Sequence, residues 1–195
     1  MFRPPTFLQA LLSLSALCDT FRMPTTDLRS LSAAELEQLG QESLRAHLVA
    51  QAMVAHHRHT PLSANNLDAL LRDPDCLRHP VRLVFELGEM AMHQFAQPDV
   101  DWRDTANNGR VLYLRPLLRE WTDLLPLAVA YTIPVINYGD VVTDEHCLLY
   151  GATLLGLTVD EFYTRLCALA DHVGAGARLA DEVPSPAGGC PAFSG

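Results

Sequence analysis

The chain contains no lysine. All 14 of its cationic residues are arginines, they face 23 carboxylates, and the formal charge is −9. Lysine and arginine neutralising phosphates supply most of the non-specific affinity for nucleic acid, so this composition argues against a broadly basic binding face. A GC-rich genome, in which arginine codons displace lysine codons, would account for the imbalance. Paired cysteines are lacking too. Cys18, Cys76, Cys147, Cys167 and Cys190 are scattered and odd in number, with no C-x-x-C and no histidine at finger spacing. That excludes a disulfide framework and a zinc finger, and reads as reduced thiols packed as small hydrophobes. There is no G-x-S-x-G, no phosphate loop and no dinucleotide-binding glycine pattern, so the common nucleophile elbow and nucleotide cradles are absent.

Long hydrophobic runs are also missing. Beyond the N-terminal segment the longest is 124–136, which is too short to span a bilayer and contains Pro126 and Pro134. No membrane association is expected, and the chain reads as soluble and cytoplasmic. Residues 1–22 place Arg3 before an apolar stretch, like a weak export signal, but Leu17 stands where a lipoprotein signal needs a small residue before Cys18. Met23 opens a polar segment that would make a natural start. Residues 1–22 therefore read as a mis-called start or a weak signal-like segment.

What is present suits a globular domain: 195 residues, 49% hydrophobic and 19% charged. Ser32 to Glu35 forms a capping box opening a helix to about Arg58. Ser63 is placed to cap a helix over 64–72, closed by Asp73-Pro74. Pro80 suits the first turn of a helix over 80–96, ended by Pro98. The polar stretch 97–110 carries a turn signal at Asn107-Asn108-Gly109, and 111–114 fits either an extended piece or the lead into a helix. Thr122 is placed to cap a helix over 123–137, bent or ended by Pro134. Thr143 opens the next, and Thr158 to Glu161 is a second capping box for a helix ending at Gly174. The expected fold is all-α: a single-domain bundle of six or seven helices over 23–174, with an irregular tail over 175–195.

Within 143–169, Ala152 stands four residues before Gly156, Leu157 follows as an apolar plug, Thr158 caps the second helix, and Phe162 and Leu166 are its buried positions. These positions resemble the helix-turn-helix of transcription factors. The resemblance implies that Val159, Asp160, Glu161, Thr164 and Arg165 would meet DNA. Two of those are carboxylates, which favour the helix through its dipole but repel phosphate. The same small residues also suit a tight helical hairpin in which two helices approach closely.

Two sets of residues are candidates for chemistry. On a helix over 80–96, Arg82, Glu86, Glu89 and His93 fall in one narrow stripe, with apolar residues round the rest. Glu86, Glu89 and His93 could converge on a metal, with His47 from the facing helix as a fourth ligand, in the way helical bundles hold a non-haem transition metal. The plainer alternative is that Arg82 with Glu86 and Glu89 with His93 are i,i+4 pairs stabilising a solvated face by a few tenths of a kcal/mol. The second set is Asn137, Tyr138 and Asp140, on a polar connection of the kind where binding residues gather. Three functions follow: a helical protein that binds a protein partner or a small molecule, a non-haem metal protein or oxidase, and a helix-turn-helix regulator. Nucleic acid is disfavoured by charge, and a homo-oligomer is compatible with the pattern.

Overall fold

The computed structural model describes residues 30–91, 94–106 and 108–181, without the side chains of 175–181. The start segment 1–22 and the tail beyond 181 lie outside the described residues. The chain divides into two compact units, 1–42 and 43–195. In the first, helix α1 (Ala33–His59) begins. Its first turn is closed as its sequence requires: the Ser32 amide donates to Glu35 Oε2 at 2.8 Å, and the Glu35 amide donates to Ser32 Oγ at 3.3 Å.

The second unit contains the end of α1, then α2 (Leu67–Arg72), β1 (Val81–Val84), β2 (Ala96–Val100), β3 (Arg110–Leu114), α3 (Leu125–Tyr138), α4 (Asp144–Leu155) and α5 (Val159–Asp181). Short 3-10 turns occupy Pro116–Arg119 and Gly139–Val141. The strands form one sheet in the order β1-β3-β2, with β1 parallel and β2 antiparallel to β3. The described residues thus hold five α-helices and a mixed three-stranded sheet. This corrects the all-α bundle of six or seven helices.

The correction falls on the expected helix over 80–96. Val81 and Leu83 turn one way and Arg82 the other, so the segment satisfies a strand period as well as a helical one. Gly88, at φ +54, then takes a left-handed conformation that stops any helix. Pro98 does not end an element but sits in β2, an edge strand. Asp101 N donates to Gly109 O, and Arg115 N donates to Phe95 O. With the alternation of an antiparallel ladder, Pro98 opposite Leu112 then falls at a non-hydrogen-bonded position, where its missing N–H removes no ladder bond. The ambiguous stretch 111–114 is the central strand β3.

Helix α3 packs against β2, α4 and α5. Its cap is Leu124, with proline in the first turn, and not Thr122; Pro134 lies inside it without ending it. α4 opens on a Thr143/His146 capping box. α5 opens on the Thr158/Glu161 box, with Thr158 N to Glu161 Oε2 at 2.9 Å, and it runs past Gly174 to Asp181. Between them Gly156 is left-handed, at φ 67 and ψ 32. The close approach of α4 and α5 depends on Gly151: a Cβ there would lie 2.6 Å from Phe162 Cε1, on a ring with no exposure.

Two glycine substitutions separate packing from propensity. Gly151→Ala gains about 0.5–1 kcal/mol of helix propensity but forces a fully buried ring aside, an overpacking penalty of about 1–3 kcal/mol, so it lowers the urea midpoint. Gly40→Ala, in a helix with nothing within 4 Å of the new methyl, raises stability by about 0.5–1 kcal/mol.

Candidate functional site

The last turn of α1 carries His56, His57, Arg58 and His59, all suited to the negative end of a helix dipole. α2 ends at Asp73, whose backbone oxygen accepts the Cys76 and Leu77 amides and whose Oδ1 accepts the Asp75 amide at 2.9 Å. The turn therefore wraps round its own carboxylate and returns Cys76 to the same side. His59 Nε2 lies 2.9 Å from Asp73 Oδ2, and Arg58 Nη1 donates to both carboxylate oxygens at 3.1 and 3.3 Å. Because an ionised carboxylate only accepts, His59 carries its proton on Nε2 in this contact. Arg58 also pairs with Asp75. One ligand-type atom each from His59, Asp73 and Cys76 lies within 4.8 Å of the others. The side chains of His59 and Asp73 are only 12% and 11% exposed, and Cys76 is buried. Asp73 is held well below the ordinary carboxylate range, by the His59 hydrogen bond first and then by the Asp75 amide. Burial, reinforced by the Asp73 charge, pushes the Cys76 thiol up to about 12, so it is a thiol and not a nucleophilic thiolate.

Beside this cluster lies the end of α3. Asn137 is buried: its Nδ2 donates to Cys76 O at 3.3 Å, and its Oδ1 accepts the Arg78 amide at 3.0 Å. Tyr138 Oη is 2.7 Å from His47 Nε2, with the rings edge to face, and the Arg78 guanidinium sits 4.5 Å above the Tyr138 ring. Asp140 is exposed on the turn beyond. Asn137 is thus a structural clasp, while Tyr138 meets His47, a residue expected at a different site.

The other expected ligands are dispersed. Glu86 is exposed after β1, in a shallow depression with Arg82, Trp102 and Tyr113, and Glu89 is exposed on the turn at Gly88. His93 lies outside the described residues. The helical spacing that aligned Glu86, Glu89 and His93 is absent, and Arg82 pairs with Asp101 where an i,i+4 partner was expected. On α5, Val159, Asp160, Glu161, Thr164 and Arg165 are all exposed, with Glu161 engaged in its cap and Thr164 Oγ1 donating to Asp160 O at 2.8 Å.

A cleft of about 880 Å³ opens between α2, β1 and the β2–β3 loop. Its walls carry Arg72, Arg82, Arg103 and Arg110, interleaved with Asp68, Asp101 and Asp104, and Val81, Leu83, Phe85 and Leu125 supply apolar surface. Arg82 forms a two-point fork on the buried Asp101, Nε to Oδ2 at 2.9 Å and Nη2 to Oδ1 at 3.1 Å. That fork holds Asp101 below its usual range and raises Arg82. Asp101 also accepts the Arg103 amide at 3.1 Å. The loop is closed by Gly109 N to Asp104 O at 2.9 Å, with Asn108 left-handed at φ 52 and Gly109 too close to Asp104 for any side chain.

Sequence reasoning took Asp73-Pro74 as a helix stop and Cys76 as packing. The available signal was Asp-x-x-Cys, a spacing of one turn, following a histidine-rich helix end. The arginine cleft had no local signal, since its arginines come from α2, β1, the β2–β3 loop and β3. Among the described residues no helix is long and apolar enough to cross a membrane. Comparison with protein families, with characterised proteins and with solved structures finds no match for the chain.

The depressed Asp73 carboxyl sets a direction for acid stability. Its contribution is fully present above the unfolded value of about 4 and is lost as pH falls through the folded value. Urea unfolding across the acidic range should show wild-type stability falling with acidification, and Asp73→Asn should be less stable near neutrality with a shallower acid slope.

Proposed function

We propose that the protein acts by binding a small anionic molecule, one bearing a carboxylate or phosphate on an apolar body, in the cleft between α2 and the sheet. One observation carries this: four guanidinium groups gather on one cleft in a chain whose net charge is −9. Guanidinium is the planar, permanently charged donor suited to carboxylate and phosphate oxygens. The volume falls within the range of about 300–1,000 Å³ typical of small-molecule sites.

Each wall has a part in this. Arg82 is already held by Asp101, so it shapes the wall and positions the loop rather than taking the ligand itself. Arg103 and Arg110, on either side of the closed loop, take the anion, and Arg72 approaches it from α2. Val81, Leu83, Phe85 and Leu125 accept the apolar part of the ligand. Asp68, Asp101 and Asp104 set an upper limit on its charge. They oppose a polyanion, which favours a ligand with one or two anionic groups over nucleic acid.

A panel of mono- and dianionic carboxylates and phosphate esters, screened by thermal shift at matched ionic strength and followed by calorimetry, tests this. Members of one class should raise the melting temperature, with affinity falling as salt rises. The double variant Arg103→Gln/Arg110→Gln should lose at least about tenfold in affinity, since a charged hydrogen bond contributes about 1.5–3 kcal/mol. No panel member exceeding chloride at equal ionic strength would remove the proposal.

A further inference from the structure

We infer that His59, Asp73 and Cys76 form a site for one divalent transition ion of the zinc class, distinct from the anion cleft. The three supply nitrogen, oxygen and sulfur donors that already lie within 4.8 Å of one another. In a tetrahedral zinc site, with ligands about 2.0–2.3 Å from the ion, donor atoms stand roughly 3.3–3.8 Å apart, so only a modest contraction is needed. The local backbone prepares it. The turn after α2 places a carboxylate and a thiol three residues apart on one side, and the last residue of α1 brings the imidazole to the same carboxylate oxygen.

Charge and chemistry both select the ion. A thiolate and a carboxylate neutralise a dication, and the neutral imidazole completes three protein ligands. Arg58, which would otherwise oppose a cation, retains Asp75 as its counter-charge when the ion takes Asp73. Sulfur and imidazole favour zinc over the oxygen-seeking magnesium or calcium. On binding, the Cys76 S–H proton leaves to solvent, the His59 proton passes through solvent from Nε2 to Nδ1 so that Nε2 can ligate, and sulfur–metal and nitrogen–metal bonds form with no change of oxidation state. Water fills the fourth position, reached through the slightly exposed His59 and Asp73 edge.

Asn137, bonded to Cys76 O, already fixes the backbone that carries the sulfur.

The test uses the full chain, stripped by chelator and titrated with cobalt(II), then with zinc(II) in competition. One equivalent of cobalt should produce a thiolate-to-metal charge-transfer absorption, and one equivalent of zinc should abolish it. Cys76→Ser, with an unchanged far-UV circular dichroism spectrum, should lose the band, and Cys167→Ser, which alters an exposed thiol, should keep it. His59→Ala should weaken zinc by at least about tenfold. Absence of stoichiometric uptake by the wild-type chain would overturn the assignment. So would a band that survives in Cys76→Ser, because the sulfur would then come from elsewhere.

Discussion

Helix α3 carries no charged side chain along its 14 residues, and most of them are buried. A helix that is apolar all round cannot rest on a surface; it has to be enclosed. The second unit meets that demand unequally on its two sides. One side is covered by the sheet, through β2, and the other by α4 and α5. The α4–α5 hairpin closes tightly because Gly151 admits Phe162, and the turn at Gly156 sends α5 back alongside. The sheet also meets α2 through β1, and its central strand β3 supplies Leu112 and Leu114 with no exposure at all.

An element enclosed along its length leaves polar chemistry only its ends, and both regions of interest lie there. Leu125, in the first turn of α3, lines the arginine cleft. Asn137 and Tyr138, in its last turn, bind the turn beyond Asp73 and the flank of α1. Asp73 then does for the other elements what hydrophobic contact does for α3. One carboxylate joins the end of α1, the end of α2 and the chain leading into β1, through His59, Arg58 and the Asp75 amide. A largely enclosed carboxylate is costly unless donors or a cation compensate it, so Asp73 ties these three segments together for as long as such partners stay on it.

The parts of this arrangement legible in the sequence are those decided within one helical turn. The boxes of Ser32 with Glu35 and Thr158 with Glu161, the helix start at Thr143 and the turn at Gly156 all form from local rules. The sheet was not legible, because β1 earns its conformation from β3, a parallel partner across an intervening loop and strand. Val81, Leu83 and Val84 suit a helix face and a strand equally, and no local rule separates them. The same limit governs the sites. His47 and Tyr138 each stood out by residue type, yet they were assigned to different chemistry, and only packing brings them to 2.7 Å. Glu86, Glu89 and His93 shared a stripe only on a helix that does not form. Asp73 looked like punctuation because Pro74 follows it, whereas its carboxylate accepts from His59, Arg58 and the Asp75 amide.

Pro98 carries a consequence beyond its own strand. Its nitrogen points away from β3, toward the side on which an additional strand would have to pair. A second chain laid along that edge would find the middle residue of β2 with no hydrogen to give, and would bury a carbonyl without a match. One pyrrolidine ring thus removes a donor from the middle of the β2 border, which weakens that edge as a template for a further strand.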